Sequence, residues 1–151
     1  MIEQVPDGDG VARIILKPRM YDAHNNSLIW DVVFQFPGGR CESAVWRKYA
    51  ATDDAVHQVG HEVEETIKLR RSNTLYIGFI SANVGEIRSV ETARGHGFSV
   101  VHDPSEDQGL HHVHICYRPQ GDQDPTDLTR NDKNELKLLL RNVFDVEMTT
   151  R

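Results

Sequence analysis

The feature that most constrains the fold is a change in apolar spacing near the middle of the chain. Between residues 52 and 71 the apolar side chains recur every three or four positions, which is the period of an amphipathic helix. Between residues 74 and 119 they alternate with polar ones, which is the period of a strand. Short gaps rich in Asn, Gly, Asp and Pro interrupt this second stretch, and such short connections join antiparallel neighbours. The sequence therefore predicts a helix followed by an antiparallel sheet.

The remaining segments extend this pattern to the whole chain. Strands are predicted at residues 11–16, 28–36, 44–46, 75–80, 86–90, 97–102 and 111–117. Helices are predicted from Thr52 to about residue 71 and from Thr129 or Asn131 to Phe144. The order β-β-(β)-α-β-β-β-β-α is that of an α+β domain with about six strands in a mostly antiparallel sheet. Because each helix has a single apolar stripe, we expect both helices to pack on one face of the sheet and leave the other face open.

Composition sets the broad class of the protein. Of its 151 residues, 38% are hydrophobic and 26% are charged, which is typical of one folded domain. We expect residues 1–10 to be a flexible lead-in and residues 11–151 to form the domain. No apolar run approaches the roughly 20 residues of a membrane helix, and the N-terminus lacks the pattern of a signal peptide. These observations predict a cytoplasmic protein that does not contact a membrane.

Charge and cysteine content narrow the expected partners. The net charge is −6 with neutral histidines, and no basic cluster stands out along the chain, which argues against binding of duplex DNA. Such a surface suits a protein partner. Cys41 and Cys116 are too few for a disulfide framework and do not form a C-x-x-C pair. We expect both cysteines to be reduced thiols, and the sequence predicts no cofactor.

Alternation along the last strands predicts which side chains the open face carries. In residues 111–118 the apolar set should point at the helices, so His112, His114 and Arg118 should point away from them. The same rule, applied to residues 86–90 and 97–103, places Glu86, Arg88 and Asp103 on the same side of the sheet as these histidines. The predicted open face holds Glu86, Arg88, Asp103, His112, His114 and Arg118.

This cluster supports two hypotheses about function, between which the sequence does not decide. In the first, the chain is an accessory or regulatory protein that binds a macromolecular partner through the open face. In the second, it is a metal-independent endoribonuclease or phosphodiesterase. A carboxylate would be the general base, a histidine the general acid, and arginines would stabilise the transition-state charge. The candidate catalytic residues are His112, His114, Glu86, Arg88 and Arg118.

A second set of candidate binding residues comes before the first long helix. Trp46, Arg47, Lys48 and Tyr49 place two cations between two aromatic rings, a pattern that can hold a nucleic-acid strand such as RNA. In the alternative interpretation, Trp46 is buried in the core and the side chains of Arg47 and Lys48 are solvent-exposed. Asp103, on the predicted open face, is a further candidate binding residue.

The histidines also raise the question of a metal site. His112 and His114 share a face but lack a third ligand, because His102 should point to the opposite side of the sheet. His57 and His61 lie one turn apart on the predicted helix. We therefore predict no metal site and keep His57, His61 and His102 as secondary candidates. Ser43 and Ser99 have no nucleophile-elbow motif around them, so the sequence gives no support for a serine nucleophile.

Overall fold

Eight strands and four helices follow one another along residues 2–151, the part of the chain that the computed structural model describes. The strands are β1 Gly10–Lys17, β2 Tyr21–Asp22, β3 Ser27–Leu28, β4 Cys41–Trp46, β5 Leu75–Asn83, β6 Gly97–His102, β7 His112–Arg118 and β8 Thr149–Thr150. The helices are α1 Trp30–Val33, α2 Asp53–Lys68, α3 Val84–Ser89 and α4 Arg130–Val143. Short 3₁₀ turns lie at Pro37–Gly39, Arg47–Tyr49 and Pro125–Asp127.

Six of the strands form one sheet in the order β6-β7-β4-β1-β5-β8, and every neighbouring pair in it is antiparallel. Strands β2 and β3 pair separately as a small hairpin. The predicted α+β class with a mostly antiparallel sheet is confirmed. None of the helices in residues 2–151 is long and apolar enough to span a bilayer.

Both long helices begin where the sequence predicts. The Thr52 side chain accepts a hydrogen bond from the Ala55 N–H at the start of α2, and two aspartates occupy the first turn. Thr129 and Asp132 form a reciprocal capping box at the start of α4. These caps satisfy N–H groups that the helix leaves without partners, so they fix the first residue of each helix.

The prediction that both helices pack on one face of the sheet is wrong, because they lie on opposite faces. Leu136 and Leu140 of α4 belong to a core cluster with Val113 of β7. Val56 of α2 belongs to a second cluster with Ile14 of β1. The apolar residues of β1 explain the difference. They stand next to one another on either side of Arg13 and therefore point to both faces, and a strand that is apolar on both faces needs a cover on each.

Two predicted strands are also wrong. Residues 28–36 contain α1 and an irregular segment whose Phe34 and Phe36 enter the α4 core. Residues 86–90 belong mainly to α3, where the Asn83 side chain caps the helix by accepting from the Glu86 N–H. Apolar runs this short fit a buried helix turn as well as a strand, so periodicity alone does not separate the two.

Residues 2–9, which the sequence assigns to the lead-in, lie against the domain. Val5 is buried in the α4 core, and the Glu3 N–H donates to Nδ1 of His102. The Trp46 indole N–H donates to Oδ2 of Asp9 at 2.8 Å. These contacts join the N-terminal segment to β4 and β6.

The position of α2 determines where the site lies. This helix packs mainly on β5 and β1. On the same face, Ser43 of β4 and His114 of β7 remain partly exposed beyond the helix. A cleft therefore opens between α2 and the uncovered strands.

Candidate functional site

The alternation predicted for β7 is confirmed, but the face that carries its histidines is shared with α2 and is not the open face that the sequence predicts. Val113, Ile115 and Tyr117 are buried in the α4 core. His112 and His114 consequently lie on the face that α2 shares, with ring centroids 4.7 Å apart. The histidine part of the predicted cluster is therefore present on that face.

Three of the predicted partners of these histidines, Glu86, Arg88 and Arg118, lie elsewhere, and only Asp103 remains near them. Glu86 lines a different cleft, beside α4 residues such as Val143. The Arg88 guanidinium donates to the carbonyls of Val5 and Val100 and to the Asp7 carboxylate. The strand assumed for residues 86–90 is a helix, so its alternation does not describe where these side chains point. Arg118 is exposed at the far end of β7, next to Gly97.

Asp103 and Ser43 are the groups that meet His112 instead. His112 is buried, with its Nδ1 lying 2.8 Å from the Asp103 carbonyl oxygen and 3.5 Å from Oδ2 of the same residue. Its Nε2 lies 3.0 Å from Oγ of Ser43. A carbonyl oxygen can only accept, so Nδ1 carries the proton and Nε2 accepts from the Ser43 hydroxyl. Ser43, His112 and Asp103 thus form a hydrogen-bonded relay in which Asp103 contributes its backbone carbonyl, whereas in a serine–histidine–aspartate triad the carboxylate holds that position.

Strand register explains this meeting of distant residues. In the β4–β7 pairing, Val45 lies opposite His112 and Ser43 lies opposite His114, so Ser43 and His112 are diagonal neighbours. Asp103 directly follows β6, and its N–H donates to the His112 carbonyl at 3.0 Å. The sequence does not predict the meeting of Ser43 with His112, since no local motif carries a contact between two strands.

The relay lies at one wall of a cleft of about 450 Å³ between α2 and the sheet. Its apolar lining comes from Val59, Val63 and Ile67 of α2 and from Ile14 and Val45 of the strands. The polar lining includes Ser43, Glu62, Arg70, Asp107, His111 and His112. A mainly apolar cleft with a few converging polar groups is the usual form of a small-molecule site.

Burial keeps the neighbouring imidazoles uncharged. It lowers the pKa of His111 below its usual value, and the nearby His112 adds to this effect while Glu62 opposes it. Burial also lowers the pKa of His114, again reinforced by His112 and opposed by Asp103. At neutral pH both rings are therefore mainly in the neutral form, which can accept a proton or bind a metal.

The expectation that both cysteines are reduced thiols is wrong in this structure, because Cys41 and Cys116 form a disulfide. The two residues lie directly opposite each other in the β4–β7 pairing. The sequence places them far apart and carries no sign of this pairing. His114 lies beside them, and one of its nitrogens and the two sulfurs lie within 4.8 Å of one another.

The aromatic and basic candidates before α2 have structural contacts. Trp46 is fully buried. The Arg47 guanidinium donates to the Ala51 carbonyl and pairs with Asp53. Lys48 and Tyr49 both contact the Glu3 carboxylate.

The secondary metal candidates also have other partners. His57 Nδ1 lies 2.6 Å from the Tyr76 hydroxyl, and His61 packs edge-on against the same ring. His102 lies on the face opposite His112, where its ring packs against Trp46. Within residues 2–151, none of the three belongs to a group of metal-ligating atoms.

Comparison with known proteins finds no match: no family model, no curated protein and no solved structure matches the chain.

Proposed function

We propose that the chain is a hydrolase that cleaves a carboxylic ester in the α2 cleft, with Ser43 as the nucleophile. The observation that carries this proposal is the 3.0 Å contact between Oγ of Ser43 and Nε2 of His112. A serine hydroxyl is a weak nucleophile until a neighbouring base accepts its proton. His112 is oriented for that role by the Asp103 carbonyl, 2.8 Å from Nδ1.

The reaction needs no group beyond these residues and water. Ser43 Oγ attacks the ester carbonyl carbon while its proton passes to Nε2 of His112. The protonated ring then gives that proton to the departing alcohol, which leaves an acyl group on Ser43. A water molecule, deprotonated by His112, releases the acid and restores the serine. The Asp103 carboxylate, 3.5 Å from Nδ1, stabilises the ring while it is charged.

The lining of the cleft favours a neutral ester over a phosphodiester. Apolar side chains from α2 and β4 supply most of its wall. The two arginines of its lining, Arg13 and Arg70, are matched by Glu62 and Asp107, so the cleft has no excess of cations to hold a phosphate. The hypothesis of a phosphodiesterase has less support for the same reason, since Glu86 and Arg88 lie away from His112.

A fluorophosphonate probe tests the nucleophile directly, because it reacts with activated serines. We expect the wild-type protein to gain one adduct, mapped to Ser43 by peptide mass spectrometry, and to hydrolyse p-nitrophenyl butyrate. Ser43→Ala should lose both properties, and His112→Ala should lower kcat at least about 100-fold. The control is Ser99→Ala on β6, another serine of the sheet, which should keep both. Absence of an adduct on the folded wild-type protein, or an adduct elsewhere, would contradict the proposal.

A second candidate function is binding of an anionic macromolecule, and one observation favours it. Arg130, Lys133, Lys137 and Arg141 line a groove along α4 together with Trp30, and Arg141 lies over the Trp30 ring at 4.9 Å. None of these four cations makes an ion pair within 4.0 Å to a residue in 2–151. Cations beside a partly exposed aromatic ring suit single-stranded RNA. The partner expected for the sheet face would then bind on α4 instead.

Fluorescence anisotropy with a labelled oligouridine tests this second function. We expect binding that weakens steeply with salt and falls at least about tenfold in Lys133→Glu/Lys137→Glu. Lys17→Glu/Arg71→Glu, which makes the same charge change elsewhere, should have a smaller effect. Equal losses in the two variants would indicate nonspecific attraction, and no binding at low salt would exclude this function.

A further inference from the structure

The face of the sheet that α2 partly covers carries a second cluster of reactive side chains besides the Ser43 relay. Cys41 and Cys116 are partly exposed, and so is His114. The two sulfurs and one imidazole nitrogen lie within 4.8 Å of one another. His114 and Cys116 are two positions apart on β7, and Cys41 lies opposite Cys116 on β4, so the backbone itself holds the three side chains on one face.

We propose that these three residues form a zinc site that opens when the disulfide is reduced. Two thiolates and an imidazole are the ligands that Zn²⁺ prefers, and three protein ligands leave one position for water. In the oxidised form the sulfurs are bonded to each other and are not thiolates, so the site is closed. The site does not depend on Ser43, and either proposal can fail without the other.

The chemistry of opening needs a reductant, which we assign to the class of small thiols. Two thiol molecules give two electrons to the Cys41–Cys116 bond and leave as a disulfide, while the protein gains two thiol groups. Zinc binding then releases the two thiol protons, because only thiolates bind the ion. The imidazole of His114 supplies the third donor atom, a ring nitrogen lone pair, to the same ion.

Asp103 fits this site as a positioning residue. Its Oδ2 lies 3.4 Å from Nδ1 of His114. A carboxylate near a ligating imidazole fixes the orientation of the ring and raises its basicity. The alternative group of Asp103, His112 and His114 is less suitable, because both nitrogens of His112 are already engaged by Ser43 and the Asp103 carbonyl.

Cobalt binding tests the proposal, because Co²⁺ can replace Zn²⁺ and reports its ligands by absorption. The full chain is reduced with a phosphine, freed of metal with a chelator and titrated anaerobically with Co²⁺. We expect one equivalent to give thiolate-to-cobalt charge-transfer bands and the visible bands of a tetrahedral ion. Added Zn²⁺ should abolish these bands, and the oxidised protein should show none.

Substitution of single residues identifies which side chains bind the metal ion. Cys41→Ser, Cys116→Ser and His114→Ala should each weaken Co²⁺ binding at least about tenfold. His24→Ala removes an exposed histidine far from the site in sequence and should bind as wild type does. If the reduced wild-type protein gives no thiolate bands, or if His114→Ala binds equally well, the proposal is wrong. These two tests use only the wild-type protein and His114→Ala. A folding failure in the cysteine variants would therefore not affect the conclusion.

Discussion

Trp46→Ala should lower the free energy of unfolding by about 3–5 kcal/mol, the range found when a buried aromatic side chain is truncated. Trp46 is fully buried, and its ring packs 5.0 Å from the ring of His102. Truncation would leave a cavity between β4 and β6. It would also remove the indole N–H that donates to Asp9 and so release the N-terminal segment. Urea denaturation followed by circular dichroism measures the change.

Comparison with Trp46→Phe separates the stability lost with the packing of the ring from the stability lost with the hydrogen bond to Asp9. Phenylalanine fills much of the volume but cannot donate to Asp9, so we expect a smaller destabilisation of about 1–2 kcal/mol. Trp30→Ala is a matched control, since that ring is only partly buried. If Trp46→Ala and the wild-type protein unfold at the same midpoint urea concentration, the Trp46 side chain does not stabilise the core. The hypothesis that Trp46 is a binding residue then regains support.

Arg13→Met should cost a similar amount, about 3–5 kcal/mol, by leaving a buried charge without its partner. The Arg13 guanidinium lies 3.1 Å from Oε1 of Glu42, and the side chains are only 12% and 5% exposed. Glu42 also accepts from the Phe36 N–H, so its carboxylate cannot turn toward water without breaking that bond. Burial lowers the pKa of Arg13, and the charge of Glu42 opposes this effect.

The double variant Arg13→Met/Glu42→Gln tests whether the loss comes from the orphaned charge. It should recover part of the stability, because the amide keeps an acceptor for Phe36 and carries no charge. A loss that is unchanged in the double variant would point to lost packing of the arginine stem instead.

The elements that sequence patterns predict best are those fixed by neighbours along the chain. The start of α2 at Thr52 and the alternation of β7 depend on side chains a few positions apart, and both predictions are confirmed. The prediction of a strand at residues 86–90 is wrong because five residues carry too little periodicity to outweigh the helix cap at Asn83.

The site was predicted only in part, because its remaining contacts depend on which strands become neighbours. His112 and His114 follow from alternation within one strand. Their meeting with Ser43 and Cys41 requires β4 to pair with β7 in one particular register, although 65 residues separate the ends of these strands in sequence. Local patterns do not contain that register, so neither the relay nor the disulfide could be derived from them.

The hydrogen bond from Arg88 to the carbonyl of Val100 has a consequence for self-association. Strand β6 ends the sheet, and the outward carbonyls of a terminal strand can recruit a strand from another molecule. Arg88 occupies one of these carbonyls, and its helix α3 packs along β6. That carbonyl is therefore not free to pair with a strand from another molecule, and α3 covers part of the same sheet edge.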